Sequence, residues 1–394
     1  MQDSGQGQQR QTRNAKQRPS AGHGASAGVV PVGQVATPSG QLHLWAAVAP
    51  GLEAIAMEEL TALGAVAVRA KQHGIAFSCR AAGLTALLAR LRCVEQVIVQ
   101  VATLDLYGNE ALPRLFQALR KAGWLAPHAA VEAKVHALAG ATDKAAWWTH
   151  QFAALPAEVG PRQVLHLRCD RREIQISIDP VGRPLSQRGY RLDPGQAPLR
   201  ETTAAALLRW AGLQAGMAVW DPMCGSGTLS IEAALWGQSL ASDDFACRHW
   251  PGLAAQQPAE LADAARVQVE SGDLDPEAVQ RCRANAERAQ VLGQLTLQAV
   301  ELGAWRRDAA AGPGLVVSNL PWGLRLGGRA DARRLAERWA AVVRRRVPGW
   351  RAAVVIAEPQ LLPLLGLVGA ESLAVRSGGR SIWLVRGLVP GKSS

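Results

Sequence analysis

Asp221-Pro222-Met223-Cys224-Gly225-Ser226-Gly227-Thr228 lies between a short apolar run, Met217 to Trp220, and an apolar-periodic segment, Leu229 to Trp236. That order reads as strand, glycine turn, helix. Gly225 and Gly227 let the backbone approach a ligand closely, and the helix opening at Thr228 offers free N–H groups. Asp221, at the end of the strand, separates this turn from a phosphate site. A carboxylate repels phosphate and attracts a ligand with an ammonium or sulfonium group. Pro222 and Cys224 complete the turn. Nothing nearby in the sequence activates Cys224, which reads as a packing thiol.

The same alternation continues outward. Val267 to Val269 reads as a second strand running into Ser271-Gly272-Asp273-Leu274-Asp275. An acid at the end of the second strand of a doubly wound domain is placed to accept hydrogen bonds from ribose hydroxyls, and both Asp273 and Asp275 are candidates. Helix Pro276 to Ala289 follows, then strand Leu295 to Val300 ending at Glu301. A fourth strand, Leu315 to Val317, runs into Ser318-Asn319-Leu320-Pro321-Trp322-Gly323. Ligands in open α/β sheets bind beyond the carboxyl ends of the strands, where all four signals fall. Their coincidence marks one site.

These stretches resemble a class I S-adenosylmethionine-dependent methyltransferase, and Asn319-Leu320-Pro321-Trp322 resembles the Asn-Pro-Pro-Tyr motif of amino-group methyltransferases. More narrowly, the chain resembles the THUMP-domain RNA guanine-N2 methyltransferases, above all the family acting on large-subunit ribosomal RNA. Arg188-Gly189-Tyr190-Arg191, Ala197-Pro198-Leu199-Arg200-Glu201, the glycine turn with Ile231-Glu232-Ala233-Ala234, and the insert Phe245 to Pro251 carry the likeness. It runs from about Leu42 to the C-terminus and is most specific in the catalytic half. The resemblance implies a Rossmann-like domain over 199–394, its sheet mostly parallel with an antiparallel edge strand. It implies S-adenosylmethionine as cofactor, held by Asp221, Pro222, Cys224, Gly225, Gly227, Thr228, Asp273 or Asp275, Glu301 and Asn319. Glu301 stands where the family has Asp. Leu320 and Trp322 replace the commoner Pro and Tyr while keeping a backbone carbonyl and an aromatic face.

The implied reaction is methyl transfer to the exocyclic N2 of a guanosine, most readily in 23S ribosomal RNA. The lone pair of such an amine delocalises into the ring, so the amine needs acceptors that hold its hydrogens. The Asn319 side chain and the Leu320 carbonyl supply two, Pro321 stiffens the turn, and Trp322 stacks on the extruded base. No metal and no covalent nucleophile is required. Other readings stand beside this one: a tRNA guanine-N2 enzyme of the same fold, an adenine-N6 or protein-glutamine methyltransferase, and a catalytically silent RNA-binding protein.

Composition agrees with such a partner. The chain has 394 residues, enough for two or three domains. Lys+Arg 43 against Asp+Glu 32 gives a net charge of +11, which favours anionic partners and nucleic acid first. The six cysteines are scattered without a CxxC pair, so neither zinc spacing nor a dense disulfide pattern is present. Buried thiols in a reducing cytoplasm are expected. Residues 1–40 lack the apolar core of a signal peptide, and the apolar run near Leu361 is broken by Pro363 and Gly366 before it could span a membrane.

Residues 1–40 contain no aromatic and carry Arg10, Arg13, Lys16 and Arg18, the composition of a disordered basic tail. From 41 to 108 the periods give strand, helix, strand, strand, helix, strand, the ferredoxin-like order. Residues 109–181 are assigned by resemblance to a THUMP-like RNA-binding domain. Its stretch from His136 to Pro161 is shorter and less basic than the family's. Residues 182–198 form a linker. Arg188, Arg191, Arg200 and Arg325 are candidate phosphate contacts, although the linker arginines serve equally as caps for carbonyls or partners of Glu201. Trp147-Trp148 reads as packing before base stacking, and His136 and His150 lack companion metal ligands.

Overall fold

Two seven-stranded sheets organise the described residues. The computed structural model describes residues 35–72, 74–104, 111–155, 159–192, 199–240, 244–253, 266–305, 314–321, 329–377 and 379–391. The first sheet opens with β1 (Gln41–Ala47), α1 (Glu53–Ala62), β2 (Val66–Lys71), β3 (Gly74–Arg80), α2 (Leu84–Arg90) and β4 (Gln96–Leu104). These strands pair antiparallel in the order β2-β3-β1-β4, as the ferredoxin-like expectation requires. Next come α3 (Ala111–Ala122), β5 (Ala130–Ala137), α4 (Thr142–Ala153), β6 (Arg162–Cys169) and β7 (Ile174–Ile178). β5 lies parallel to β6, and β6 and β7 form an antiparallel hairpin. β7 pairs antiparallel with β4, so both segments share one continuous sheet. Of the 1–40 stretch, residues 1–34 lie outside the described part. Ala36 is already attached, its N–H donating to Val101 and its carbonyl accepting from the Trp124 indole.

The second sheet contains α5 (Glu201–Trp210), β8 (Ala218–Asp221), α6 (Thr228–Ala234), β9 (Gln268–Asp273), α7 (Pro276–Arg288), β10 (Leu295–Ala299), β11 (Gly314–Asn319), α8 (Arg329–Arg346), β12 (Arg351–Ile356), β13 (Val368–Ser377) and β14 (Arg380–Leu388). The strand order is β10-β9-β8-β11-β12-β14-β13. From β10 to β12 every pairing is parallel, and β14 runs antiparallel between β12 and β13. The chain steps from β8 through β9 to β10 in one direction and from β11 to β12 in the other. The switch point therefore falls between β8 and β11, where such sheets open a crevice.

Strand periodicity divides the side chains of this sheet between two cores. Val219, Leu315, Val317, Ala353 and Val355 join α5, α6 and α7 in a core continuous with that of the first sheet. Trp220, Val316, Val354 and Ile356 point the other way, into a core with Trp339 and Val343 of α8. In α5, Ala204, Leu207 and Leu208 are fully buried. Losing one such leucine to alanine costs about 2–5 kcal/mol.

Main-chain bonds also join the two sheets. Leu240 donates to Ala89 at 2.7 Å, and Arg376 to Pro50 at 3.0 Å. Val32 to Ser394 form one compact unit. Among the described residues no helix is long and apolar enough to cross a membrane.

Candidate functional site

Asp221 ends β8 and is 1% exposed. Its Oδ2 accepts the Ser230 hydroxyl of α6 at 2.7 Å, while its Oδ1 is buried without a hydrogen-bond partner among the described residues. Burial pushes its carboxyl up to about 7, against the opposing pull of Ser230 and with a smaller push from the charge of Asp273. A buried carboxylate with a free oxygen costs free energy until a cation or donor reaches it.

The turn that follows is tied on several sides. Cys224 N–H donates to the Gly272 carbonyl at 2.8 Å, and Gly225 N–H to Asp273 Oδ2 at 2.9 Å. Gly227 N–H donates to Cys224 at 2.8 Å, and Asn285 Nδ2 of α7 donates to the Ser226 carbonyl at 2.9 Å. Gly225 and Gly227 both have positive φ, 56° and 87°. A Cβ on Gly227 would stand 2.4 Å from the Cys282 sulfur, so glycine is required there twice over. Thr228 is buried as the first residue of α6. Cys224 is a packing thiol, held well above the ordinary thiol value by its Cys282 neighbour and by burial.

The structure gives Asp273 and Asp275 different positions. Asp275 caps α7: Oδ1 accepts from Glu277 N–H at 2.9 Å, and Oδ2 pairs with Arg281 at 3.1 Å. Pro276 at the first helical position completes this start. Asp273 instead joins the two loops, with Oδ2 on Gly225 and Oδ1 accepting Asp275 N–H at 3.0 Å. Each of its oxygens keeps a lone pair for a further donor. Glu301, beyond β10, accepts Gly303 N–H at 2.8 Å through Oε2 and pairs with Arg338 of α8 through Oε1.

Asn319 ends β11. Val316 is level with Trp220, which places Asn319 two residues, about 7 Å, beyond Asp221 along the neighbouring strand. Its Oδ1 is buried without a hydrogen-bond partner among the described residues. Below it, Ser318 Oγ accepts from the Trp339 indole at 2.9 Å and donates to the Val317 carbonyl at 2.6 Å. Leu320 is buried, its N–H on Val355 at 3.1 Å, and Pro321 is half-buried. Trp322 and Arg325 lie outside the described residues. A strand-end carboxylate on one side of a switch point and an amide acceptor on the other, each with an oxygen unsatisfied, make a crevice for a cationic ligand and a hydrogen-bond donor.

A family model described as an RMKL-like methyltransferase domain matches residues 188–384, which is 197 of the 394. The chain belongs to the RMKL-like methyltransferase family. A second model, the RlmL ferredoxin-like domain, matches residues 43–98. A Synechocystis protein with the provisional name of RNA methyltransferase is 28% identical over 87% of this chain and 95% of its own length. The ribosomal RNA large subunit methyltransferase K/L of Alcanivorax borkumensis is 31% identical over 84% of this chain. The chain spans only 50% of that relative. Among solved structures, one complexed with SAH superposes with a TM-score of 0.68 at 20% identity, covering 90% of this chain and 100% of that one. TrmN from Thermus thermophilus superposes at 0.59 and 23% identity, covering 88% and 99%. At these identities the structures establish the fold alone.

Within this methyltransferase the linker arginines depart from the phosphate-contact expectation. Arg188 is 1% exposed at its side chain. It donates to the Leu185 carbonyl and, at 2.6 Å, to that of Arg92, and pairs with Glu232 at 3.4 Å. A guanidinium so enclosed reaches no phosphate. Arg191 donates to the Leu199 carbonyl at 2.6 Å and pairs with Glu201 at 3.0 Å, which is the capping alternative. Of these three, Arg200 keeps the most exposed side chain, paired with Glu95.

Trp148 is fully buried, Trp147 packs edge-on against it, and no metal-holding group occurs among the described residues. Ser230, Asn285 and Arg288 belong to no motif legible in the sequence. Asn285 nonetheless leaves a signal: it interrupts the apolar stripe Ala278, Cys282, Ala286 of α7 with a polar side chain.

Proposed function

We propose that the crevice between β8 and β11 binds S-adenosylmethionine and methylates the exocyclic N2 of a guanosine in large-subunit ribosomal RNA. Two oxygens at neighbouring strand ends, Asn319 Oδ1 and Asp221 Oδ1, each without a partner among the described residues, carry this reading. The residues fit the cofactor: Asp221 offers a buried anion to its cationic end, Gly225 and Gly227 admit its chain, and Asp273 has lone pairs for its ribose. When bound, the cofactor supplies a methyl already activated by a sulfonium. What remains for the protein is to orient the amine and to exclude water.

Asn319 Oδ1 and the Leu320 carbonyl accept the two amine hydrogens and turn the lone pair toward the donor. This contact strengthens as the nitrogen becomes pyramidal. Trp322, by its place in the motif, stacks on the base. The region from β5 to β7 reads as the THUMP-like RNA-binding part. The free thiols of all six cysteines suit a reducing cytoplasm. The names of the K/L relatives support ribosomal RNA over tRNA.

The test is incubation of the full chain with methyl-labelled S-adenosylmethionine and total ribosomal RNA or total tRNA, followed by nucleoside analysis. Label in N2-methylguanosine from the large-subunit RNA is expected. Label in tRNA alone would move the substrate, and label on adenine or protein would remove the guanine reading.

A further inference from the structure

The linker between the two sheets starts a polar chain, buried except at Arg288, that ends under the glycine turn. Arg188 and Tyr190 converge on Glu232 of α6, the Tyr190 hydroxyl at 3.1 Å from Glu232 Oε1. Tyr190 also presents its carbonyl to Arg288 Nε of α7 at 2.7 Å. The other end of Arg288 holds Asn285 Oδ1, and Asn285 Nδ2 holds the Ser226 carbonyl at 2.9 Å. Tyr190 is 3% exposed, Glu232 2% and Asn285 0%. Polar groups this enclosed keep their partners, because a lost partner leaves an unsatisfied group where water cannot follow.

The chain touches both helices that support the site: α6, which opens from the turn, and α7, which Asp275 caps two residues beyond Asp273. Arg288 and Tyr190 have no place among the residues that face the crevice. Their hydrogen bonds pass instead through Asn285, whose amide both receives Arg288 and grips the peptide between Gly225 and Gly227.

We propose that Asn285, Arg288 and Tyr190 are positioning residues for the cofactor turn, so that the linker joining the two sheets sets cofactor affinity from behind the site. Asn285 orients the Ser226 carbonyl. Arg288 holds the Asn285 amide in the orientation that donates to it. Tyr190 gives Arg288 a fixed carbonyl anchored to Glu232. The proposal rests on the reading of this turn as the S-adenosylmethionine site.

The test is titration of the full chain with S-adenosylhomocysteine by calorimetry, alongside the thermal midpoint without ligand and steady-state methyl transfer. Asn285→Asp keeps the acceptor for Arg288 but replaces the donor to Ser226, and about tenfold weaker binding is expected. Arg288→Ala, on an exposed helix end that tolerates truncation, is expected to weaken binding about threefold, with Arg288→Lys recovering part of the loss. In both, the cofactor KM rises while kcat at saturating cofactor stays within about twofold. Variants that lower the thermal midpoint yet bind within twofold of the parent would show a merely structural network and overturn the proposal. Should Asn285→Asp not fold, the Arg288 pair decides alone. A parent chain that fails to bind S-adenosylhomocysteine overturns the site's reading and this proposal together, whereas insensitive variants of a binding parent overturn the proposal only.

Discussion

The turn after β8 and the end of β11 lie on neighbouring strands at the same edge of one sheet, yet their polar groups are satisfied in opposite ways. The β8 loop is bound by Gly272, Asp273, Asn285 and its own Cys224 carbonyl. Asn319, at the end of β11, keeps an amide oxygen buried and, among the described residues, unpartnered above a strand end steadied by Trp339 and Ser318. A turn whose shape is set in advance binds without paying for its own ordering. An acceptor left open stores a desolvation cost that only an arriving donor relieves. The first arrangement suits a cofactor used in every cycle, the second a substrate group whose best contact forms in the transition state.

The strongest way to break this contrast is Asn319→Ala. Transfer is expected to slow by about 3–4 kcal/mol, by analogy with loss of one preorganised donor to a developing charge. Cofactor affinity should stay within twofold. Single-turnover methylation at saturating RNA and cofactor measures the first and calorimetry the second; an equal loss in both would erase the distinction between the loops.

Asp221→Asn addresses the β8 side, with cofactor binding expected to weaken by about 1.5–3 kcal/mol, the range for hydrogen bonds to charged groups. Acidity sharpens the same point. The carboxylate form pairs with a cation, and burial places the Asp221 carboxyl at about 7. Parental affinity should therefore be full above that pH and fall as pH drops below it, by at most about tenfold per unit. The Asn variant should titrate with a flat profile. In the unliganded chain the sign reverses. A carboxyl raised from 3.8 to about 7 lends stability below its unfolded value, and that stability is lost as pH rises through 7. Thermal midpoints of Asp221→Asn and parent should diverge in favour of the variant between those limits.

Gly227→Ala is expected to cost about 1–3 kcal/mol of stability, from positive φ and from contact with Cys282. Cys282→Ala in the same chain should return the steric part but not the φ part, as denaturant titration would measure. The smallest effect belongs to Trp339→Phe, about 0.5–1.5 kcal/mol of stability for one hydrogen bond to Ser318. A large fall in transfer rate at unchanged stability would instead show that the β11 loop is as tightly pre-set as the β8 loop.

Much of the candidate site is legible in the amino-acid sequence. Asp221, Gly225, Gly227, Asp273 and Asn319 are local signals: an acid or amide at a strand end, glycine where the turn needs positive φ. Strand and helix periods place each at the carboxyl edge of a parallel sheet, and the ferredoxin-like order is equally legible because its elements follow one another closely along the chain. Charge is a poorer guide. Arg188 and Glu232 carry the polarity of a surface, but the fold buries their side chains together where the two sheets meet, and Arg191 is half-buried on Glu201.

What the sequence by itself determined is therefore the kind of sheet and which residues stand at its carboxyl edge, since backbone conformation and side-chain period depend on near neighbours. Only the tertiary structure decided that Asp273 bridges to Gly225 while Asp275 caps a helix, that β4 and β7 merge two segments into one sheet, and that the linker reaches the turn after β8 through Arg288 and Asn285. Those hydrogen bonds join side chains and loops up to 98 residues apart, and a hydrogen bond depends on where atoms meet in space rather than on their separation along the chain.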